Sequence, residues 1–239
     1  MDNIQIDMKI SPKSLLEKIV DRYKMAADFF ATVQCHKPKN LCRVRQGSIS
    51  DEIEELVAEF LFVNSGAEEV EGVYGKVDMP LSIRCQNGRD ITIYPDIVIS
   101  KKINDSLFRI LYMADVKADS GWIRTKLSEL AKMHKNHLSF LLQNDVEHTK
   151  KHISYELSDG CPYDFIFVTA ANGSKKFMDS VKELNNNNED IKAFILSSGN
   201  HPNSKKMDGI VIEDEALKEL IARIRNRLPV AGKSDFWSG

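Results

Sequence analysis

The run YDFIFVTAA, residues 163–171, is apolar apart from Asp164 and Thr169 and is of strand length. It has no alternating polar face to turn toward water, so it needs covering elements above and below and a strand on each edge. That requirement places it at the centre of a sheet. Segments with apolar residues at helical spacing surround it, and together they predict an α/β fold whose mixed sheet is flanked by helices.

The covering helices are legible. Leu15, Leu16, Ile19, Val20, Tyr23, Ala26, Ala27 and Phe30 recur at helical spacing over residues 11–31, with Ser11 and Pro12 forming a start signal. A second helix, capped by Ser48 or Ser50, runs to about Val63 and carries Ile53, Leu56, Val57, Phe60 and Leu61 as its stripe. On a helical wheel Glu54 falls about 20° from Leu61, so among the acids of this helix it is the one directed along the core surface. Further helices are expected from Trp122 to Asn144, from Ser174 to Leu184 and from Asp214 to Leu228.

Between Pro80 and Ala118 the pattern becomes extended: LSIRC, ITIYPDIVIS and SLFRILYMADVKA are joined by turn signals at Asn87-Gly88 and Asn104-Asp105. Three consecutive antiparallel strands follow. IKAFILSS and GIVIE read as later strands, the segment holding His148 and His152 as a basic loop, and NNNN as a surface loop. Residues 1–46 are expected to form an N-terminal helix and basic loop, 47–230 the main domain and 231–239 a tail.

The net charge of −2 does not by itself advertise a nucleic-acid binder, although a local basic face can steer phosphates independently of the total. No apolar stretch is long enough to cross a bilayer and the start lacks the pattern of a secretory leader, so no membrane partner and a cytoplasmic location are expected. Cys35, Cys42, Cys85 and Cys161 are irregularly spaced, which suits reduced thiols. There is no GxSxG motif and no phosphate-binding P-loop.

The chemistry concentrates at one place. Asp115 and Lys117 are two apart on a strand, so they leave the same face, and Leu111 and Met113 are expected to share it. Asp96 follows Pro95 on the preceding strand, where the intervening turn lets it meet Asp115. Two close carboxylates repel unless a cation lies between them, and hard oxygen ligands favour Mg²⁺, with Mn²⁺ as a substitute. A lysine beside them suits phosphodiester hydrolysis. The same residues are also compatible with a surface ion pair and a turn aspartate.

YPDIVIS followed by MADVKAD resembles the PD-(D/E)xK nuclease superfamily, and the predicted order of helix, three-stranded meander, helix and strand agrees with that family's core. The resemblance covers about half of the chain. It implies a restriction-endonuclease-like core, with Asp96, Asp115, Lys117 and Glu54 catalytic and with Asp96, Asp115 and the backbone carbonyl of Val116 holding the metal. Within the superfamily the chain resembles type II restriction endonucleases, which implies a homodimer cutting a short site in double-stranded DNA. Repair, junction-resolving and defence-effector nucleases share such a site, and a non-catalytic nucleic-acid-binding protein of the same fold also stays open. Ser120, Trp122, Arg124 and Lys126 at the opening of the next helix, with Lys132 and Lys135 along it, are the expected DNA contacts. The bland alternative for them is a capped helix with a solvated face.

Overall fold

Ser11 accepts a hydrogen bond from the amide of Ser14 at 3.1 Å and Pro12 follows it, so the first helix starts where its cap predicts. The computed structural model describes residues 8–35, 49–84, 90–120, 126–148 and 153–229. The expected basic loop, the Asn87-Gly88 turn, Trp122, Arg124, His152 and the C-terminal tail lie outside them. Helices α1 (Pro12–Cys35) and α2 (Ile49–Asn64) precede strands β1 (Val73–Val77), β2 (Leu81–Arg84), β3 (Asp90–Ile93), β4 (Ile97–Lys102) and β5 (Leu107–Lys117). Next come α3 (Leu127–Gln143), β6 (Asp145–His148), β7 (Ser154–Leu157), β8 (Tyr163–Phe167) and α4 (Lys175–Asn187). The chain ends with β9 (Ala193–Ile195), β10 (Ser197–Gly199), β11 (Ile210–Ile212) and α5 (Asp214–Arg225).

These elements make three layers around a mixed sheet. On one face Leu15, Leu16 and Ile19 of α1, Val57 and Phe60 of α2 and Leu220 and Ile224 of α5 pack on Tyr112, Ala114, Val116 and Ile166. On the other, Leu127, Ala131 and Leu138 of α3 and Val181 and Leu184 of α4 cover Met113, Tyr163, Phe165 and Phe167. Strand β8 is buried along its whole length between β5 and β9, parallel to both, as its run, apolar apart from Asp164, requires.

The expected meander is present but longer and bent. Strand β1, which the sequence pattern did not disclose, pairs antiparallel with β4, and β4 with β5. Val77 opposite Ile97 and Leu81 opposite Ile93 belong to one continuous register, bridged by hydrogen bonds from Asp78 N–H to the Asp96 carbonyl (3.0 Å) and from Met79 N–H to the Pro95 carbonyl (3.3 Å). One long hairpin thus spans β1 to β4. Asp78, with a φ of 49°, and the prolines at 80 and 95 bend both of its arms at the same level. Beyond the bend β2 and β3 leave β5, and β2 pairs with β6 instead. ITIYPDIVIS is therefore two strands rather than one.

Four further expectations change. The register of β4 and β5 shifts so that Ile99 faces Tyr112 and Ser100 faces Ile110, leaving Leu111 as a bulge. The bulge turns Leu111 to the face opposite Met113, so Leu111 does not share the side of Asp115 and Lys117. The segment read as a basic loop contributes β6 and β7, with β7 parallel to the first half of β5 in line with β8 on the second half. The asparagine run is partly helical: Asn185 in the last turn of α4 accepts from Ala193 N–H at 2.8 Å and donates to the Ala193 carbonyl at 3.0 Å, satisfying the free edge of β9. IKAFILSS, finally, divides between β9 and β10, and β10 pairs with β11 in a separate two-stranded sheet.

A buried ion pair fastens α5 to the centre of the sheet. Arg223 donates to both oxygens of Asp164, at 2.7 and 3.1 Å, and Lys192 N–H donates to Asp164 at 2.8 Å. The Asp164 side chain is wholly inaccessible. Removing one partner of such a pair strands the other's charge, so Asp164→Ala is expected to cost about 3–5 kcal/mol, whereas Asp164→Leu combined with Arg223→Met loses far less. Urea denaturation of both variants checks this, and an unchanged midpoint for Asp164→Ala would show that the pair contributes nothing to stability.

Candidate active site

The bend at Pro95 creates the site. The β4–β5 pairing ends at Ile97 opposite Ala114, and the amide of Val116 lies beyond it. The Asp96 carboxylate fills in: Oδ2 accepts from Val116 N–H at 2.7 Å and from Lys117 Nζ at 3.2 Å. Lys117 Nζ also donates to the Val116 carbonyl at 3.1 Å. Both bonds to Asp96 fall on Oδ2, and Oδ1 accepts neither of them. Asp115 leaves β5 on the face that holds Lys117, as the two-residue spacing predicts.

Two residues that pattern reading passed over hold Asp115. Tyr163 of β8 donates its hydroxyl to Oδ1 at 3.0 Å, and His134 Nε2 lies 3.1 Å from Oδ2. His134 Nδ1 lies 3.0 Å from the Tyr163 carbonyl, which can only accept. The ring thus lies between a carbonyl at one nitrogen and a carboxylate at the other. The imidazole is fully buried and stacks on Tyr163 and Phe165, with ring centroids 3.7 and 4.0 Å away. A signal for it did exist in the sequence: His134 completes the stripe Leu127, Ala131, Leu138 and Leu141 at helical spacing, where an apolar residue is the rule.

Glu54 reaches the same place from the opposite helical layer. Ser50 Oγ donates to its Oε1 at 2.9 Å. Burial, reinforced by the charge of Asp96, pushes the Glu54 carboxyl from its ordinary 4.5 up to about 7 against the pull of Ser50 and Lys117. Burial also raises Asp96; the Lys117 charge opposes the shift and the Asp115 charge adds to it. Asp115 moves the other way. Burial pushes its carboxyl up, but the hydrogen bond and charge of His134, the charge of Lys117 and the Tyr163 hydroxyl outweigh that and leave it below the ordinary carboxylate value. Three acids and a lysine thus converge at one end of the sheet, and two of the acids resist ionisation.

Among the described residues no group of three or more His, Cys, Asp or Glu side chains is placed to hold a metal ion. What the site offers is more open: Asp96 and Asp115 carboxylates, each with acceptor capacity left over, and the carbonyl of Val116, which follows Asp115 in sequence. All are hard oxygen donors. Such a set fits a divalent cation that keeps part of its shell as water, as Mg²⁺ does, and does not fit structural zinc.

The other expected residues that are described lie beside this end of the sheet. Ser120, Lys126, Lys132 and Lys135 line one groove of about 840 Å³ between α3 and α4, joined by Lys176 and opposed by Asp179 and Glu183. The loop leading to the groove is fixed by Asp119, a buried residue that accepts from Ser120 Oγ at 3.2 Å and from Asn172 Nδ2, with His201 Nε2 at 3.3 Å. Comparison with known proteins adds no relative: no protein-family profile, no curated protein and no solved structure matches this chain.

The raised Glu54 carboxyl has a signed consequence. Its neutral form is favoured in the folded state, so its charge costs stability increasingly as pH rises from about 4.5 through about 7. In metal-free buffer Glu54→Gln should match the wild type near pH 4 and exceed it above pH 7, by roughly 1–2 kcal/mol after solvent screening at this half-buried position. Thermal unfolding across that range checks it; a gap that does not widen with pH refutes the assignment.

Proposed function

We propose that this protein is a Mg²⁺-dependent endonuclease that hydrolyses phosphodiester bonds in double-stranded DNA. The observation that carries the reading is the convergence of Asp96, Asp115, Lys117 and Glu54 at the point where the bent hairpin leaves β5. In support, α2, the antiparallel β1–β4–β5 unit, α3 and β8 follow one another in the order of a restriction-endonuclease-like core. Strands β6 and β7 are additions to it.

Asp96, Asp115 and the Val116 carbonyl would hold the cation. When bound, Mg²⁺ polarises a phosphoryl oxygen and lowers the pKa of bound water. Lys117 stands next to Asp96, where its ammonium neutralises charge developing on the phosphate. Glu54, with a proton affinity near neutrality, is suited to take up or release a proton close to the reacting centre. The lysines of the α3–α4 groove supply the sequence-independent attraction for the phosphate backbone.

Cleavage of one fixed sequence by a homodimer is the form that the resemblance to type II restriction enzymes implies. Incubating a long plasmid with enzyme and Mg²⁺ and sequencing the ends tests activity and form together: discrete fragments are expected, and scattered ends would point to a repair or defence nuclease with the same site. Asp96→Ala should abolish cleavage, and no cutting of any duplex by the wild type overturns the proposal.

The cationic residues have separable jobs. Under single-turnover conditions with saturating enzyme, Lys117→Ala should slow cleavage by about two orders of magnitude or more while leaving DNA affinity in Ca²⁺ nearly unchanged. Lys132→Ala and Lys135→Ala should instead weaken binding and flatten its salt dependence by about one slope unit per lost contact. A Lys117→Ala protein that cuts normally once saturated but binds poorly would make that lysine a phosphate anchor and remove it from the chemistry.

A further inference from the structure

We infer that His134, together with the Tyr163 hydroxyl, is a positioning pair that sets the Asp115 carboxylate for cation binding; the inference rests on the nuclease reading. One donor sits on each oxygen, His134 Nε2 at 3.1 Å from Oδ2 and Tyr163 Oη at 3.0 Å from Oδ1. Two donors on opposite oxygens fix both the side-chain rotamer and the plane of the carboxylate. They also leave each oxygen a further lone pair for a cation.

The pair is itself held rigidly. His134 belongs to α3 and Tyr163 to β8, and the histidine's second nitrogen is tied to the Tyr163 carbonyl at 3.0 Å. The ring is clamped face to face against Tyr163 and Phe165, at interplanar angles of 10° and 14°. An imidazole aimed only at filling space has no need of a carboxylate at its far end, and an apolar residue at this stripe position would pack without desolvating a polar group. Metal-binding side chains are commonly oriented in this way by partners that do not touch the ion, and loss of such a partner lowers metal affinity by about 10–100-fold.

The two ring nitrogens allow a paired test. Asparagine can reproduce the Nδ1 donor to the Tyr163 carbonyl but not the reach to Asp115, whereas glutamine can reach Asp115 from the Nε2 position. Tyr163→Phe removes only the hydroxyl and keeps the stacking ring. Mn²⁺ uptake, followed by calorimetry and by the electron paramagnetic resonance signal of free Mn²⁺, gives a readout independent of cleavage. Relative to the wild type, His134→Asn and Tyr163→Phe should bind Mn²⁺ about 10–100-fold more weakly, and His134→Gln should recover most of the loss. A purely structural histidine predicts the opposite ranking or none, with changes in melting temperature but equal Mn²⁺ affinity in whatever remains folded. If His134→Asn does not fold, Tyr163→Phe decides. Unchanged affinity in Tyr163→Phe, with the wild type binding Mn²⁺, overturns the positioning role and leaves the nuclease reading standing. A wild type that takes up no Mn²⁺ overturns both.

Discussion

The amide of Val116 has to be satisfied at a point where its neighbouring strand turns away, and the carboxylate of Asp96 does it. A buried backbone N–H without an acceptor is costly, so a strand that bends off a ladder needs a side chain to take its place. Pro95 causes the bend, and the next residue supplies the acceptor. The carboxylate that seals the sheet is therefore also the one that draws Lys117 to its side and faces the charge of Asp115. Structural need and chemical opportunity fall on one residue because they arise from the same break.

The end of the sheet is where side chains from both helical layers meet. Elsewhere β5 separates the two apolar clusters, one under α1, α2 and α5, the other under α3 and α4. At residues 115–117 the strand runs out beyond β4, where Glu54 from one layer comes within electrostatic range of Asp96 and Lys117 and His134 from the other contacts Asp115. The resulting balance is uneven. Asp115 is compensated by a buried histidine and a hydroxyl, while Glu54 and Asp96 share little more than Lys117 and single hydrogen bonds. Uncompensated acid density of this kind is what a hard cation relieves.

Along the chain the acids and the basic groove are adjacent for a simple reason. Only two residues, Ala118 and Asp119, separate Lys117 from Ser120, and the segment is held by the buried Asp119 with Asn172 and His201. The groove begins at Ser120 and continues between α3 and α4, so lysines on two helices flank a path that starts beside the acids. Parallel pairing of β5 and β8 makes this geometry possible, since it brings the loops after both strands to the same edge of the sheet.

Much of this was already written in residue order. The even spacing of Asp115 and Lys117, the central run around Phe165, the capped start of α1 and the position of Glu54 on its helix depend only on local periodicity, and local periodicity survives folding. Other features depend on partners distant in sequence. Leu111 changed faces because a bulge against Ile99 and Ser100 altered the parity of β5, and parity can be read from sequence only while the ladder is regular. Strands β1, β6 and β7 are short, with no alternation strong enough to declare themselves, and exist because β4, β2 and β5 offer them open edges. His134 looked like one polar residue on an apolar stripe until Tyr163 and Asp115, both far along the chain, closed around it. Sequence alone thus determined which chemical groups the protein has and, where an element is regular, the face each one leaves by. Tertiary structure decided which of them meet, because a hydrogen bond or a charge interaction is set by distance in space, and that distance is fixed only when strand register and helix packing are in place.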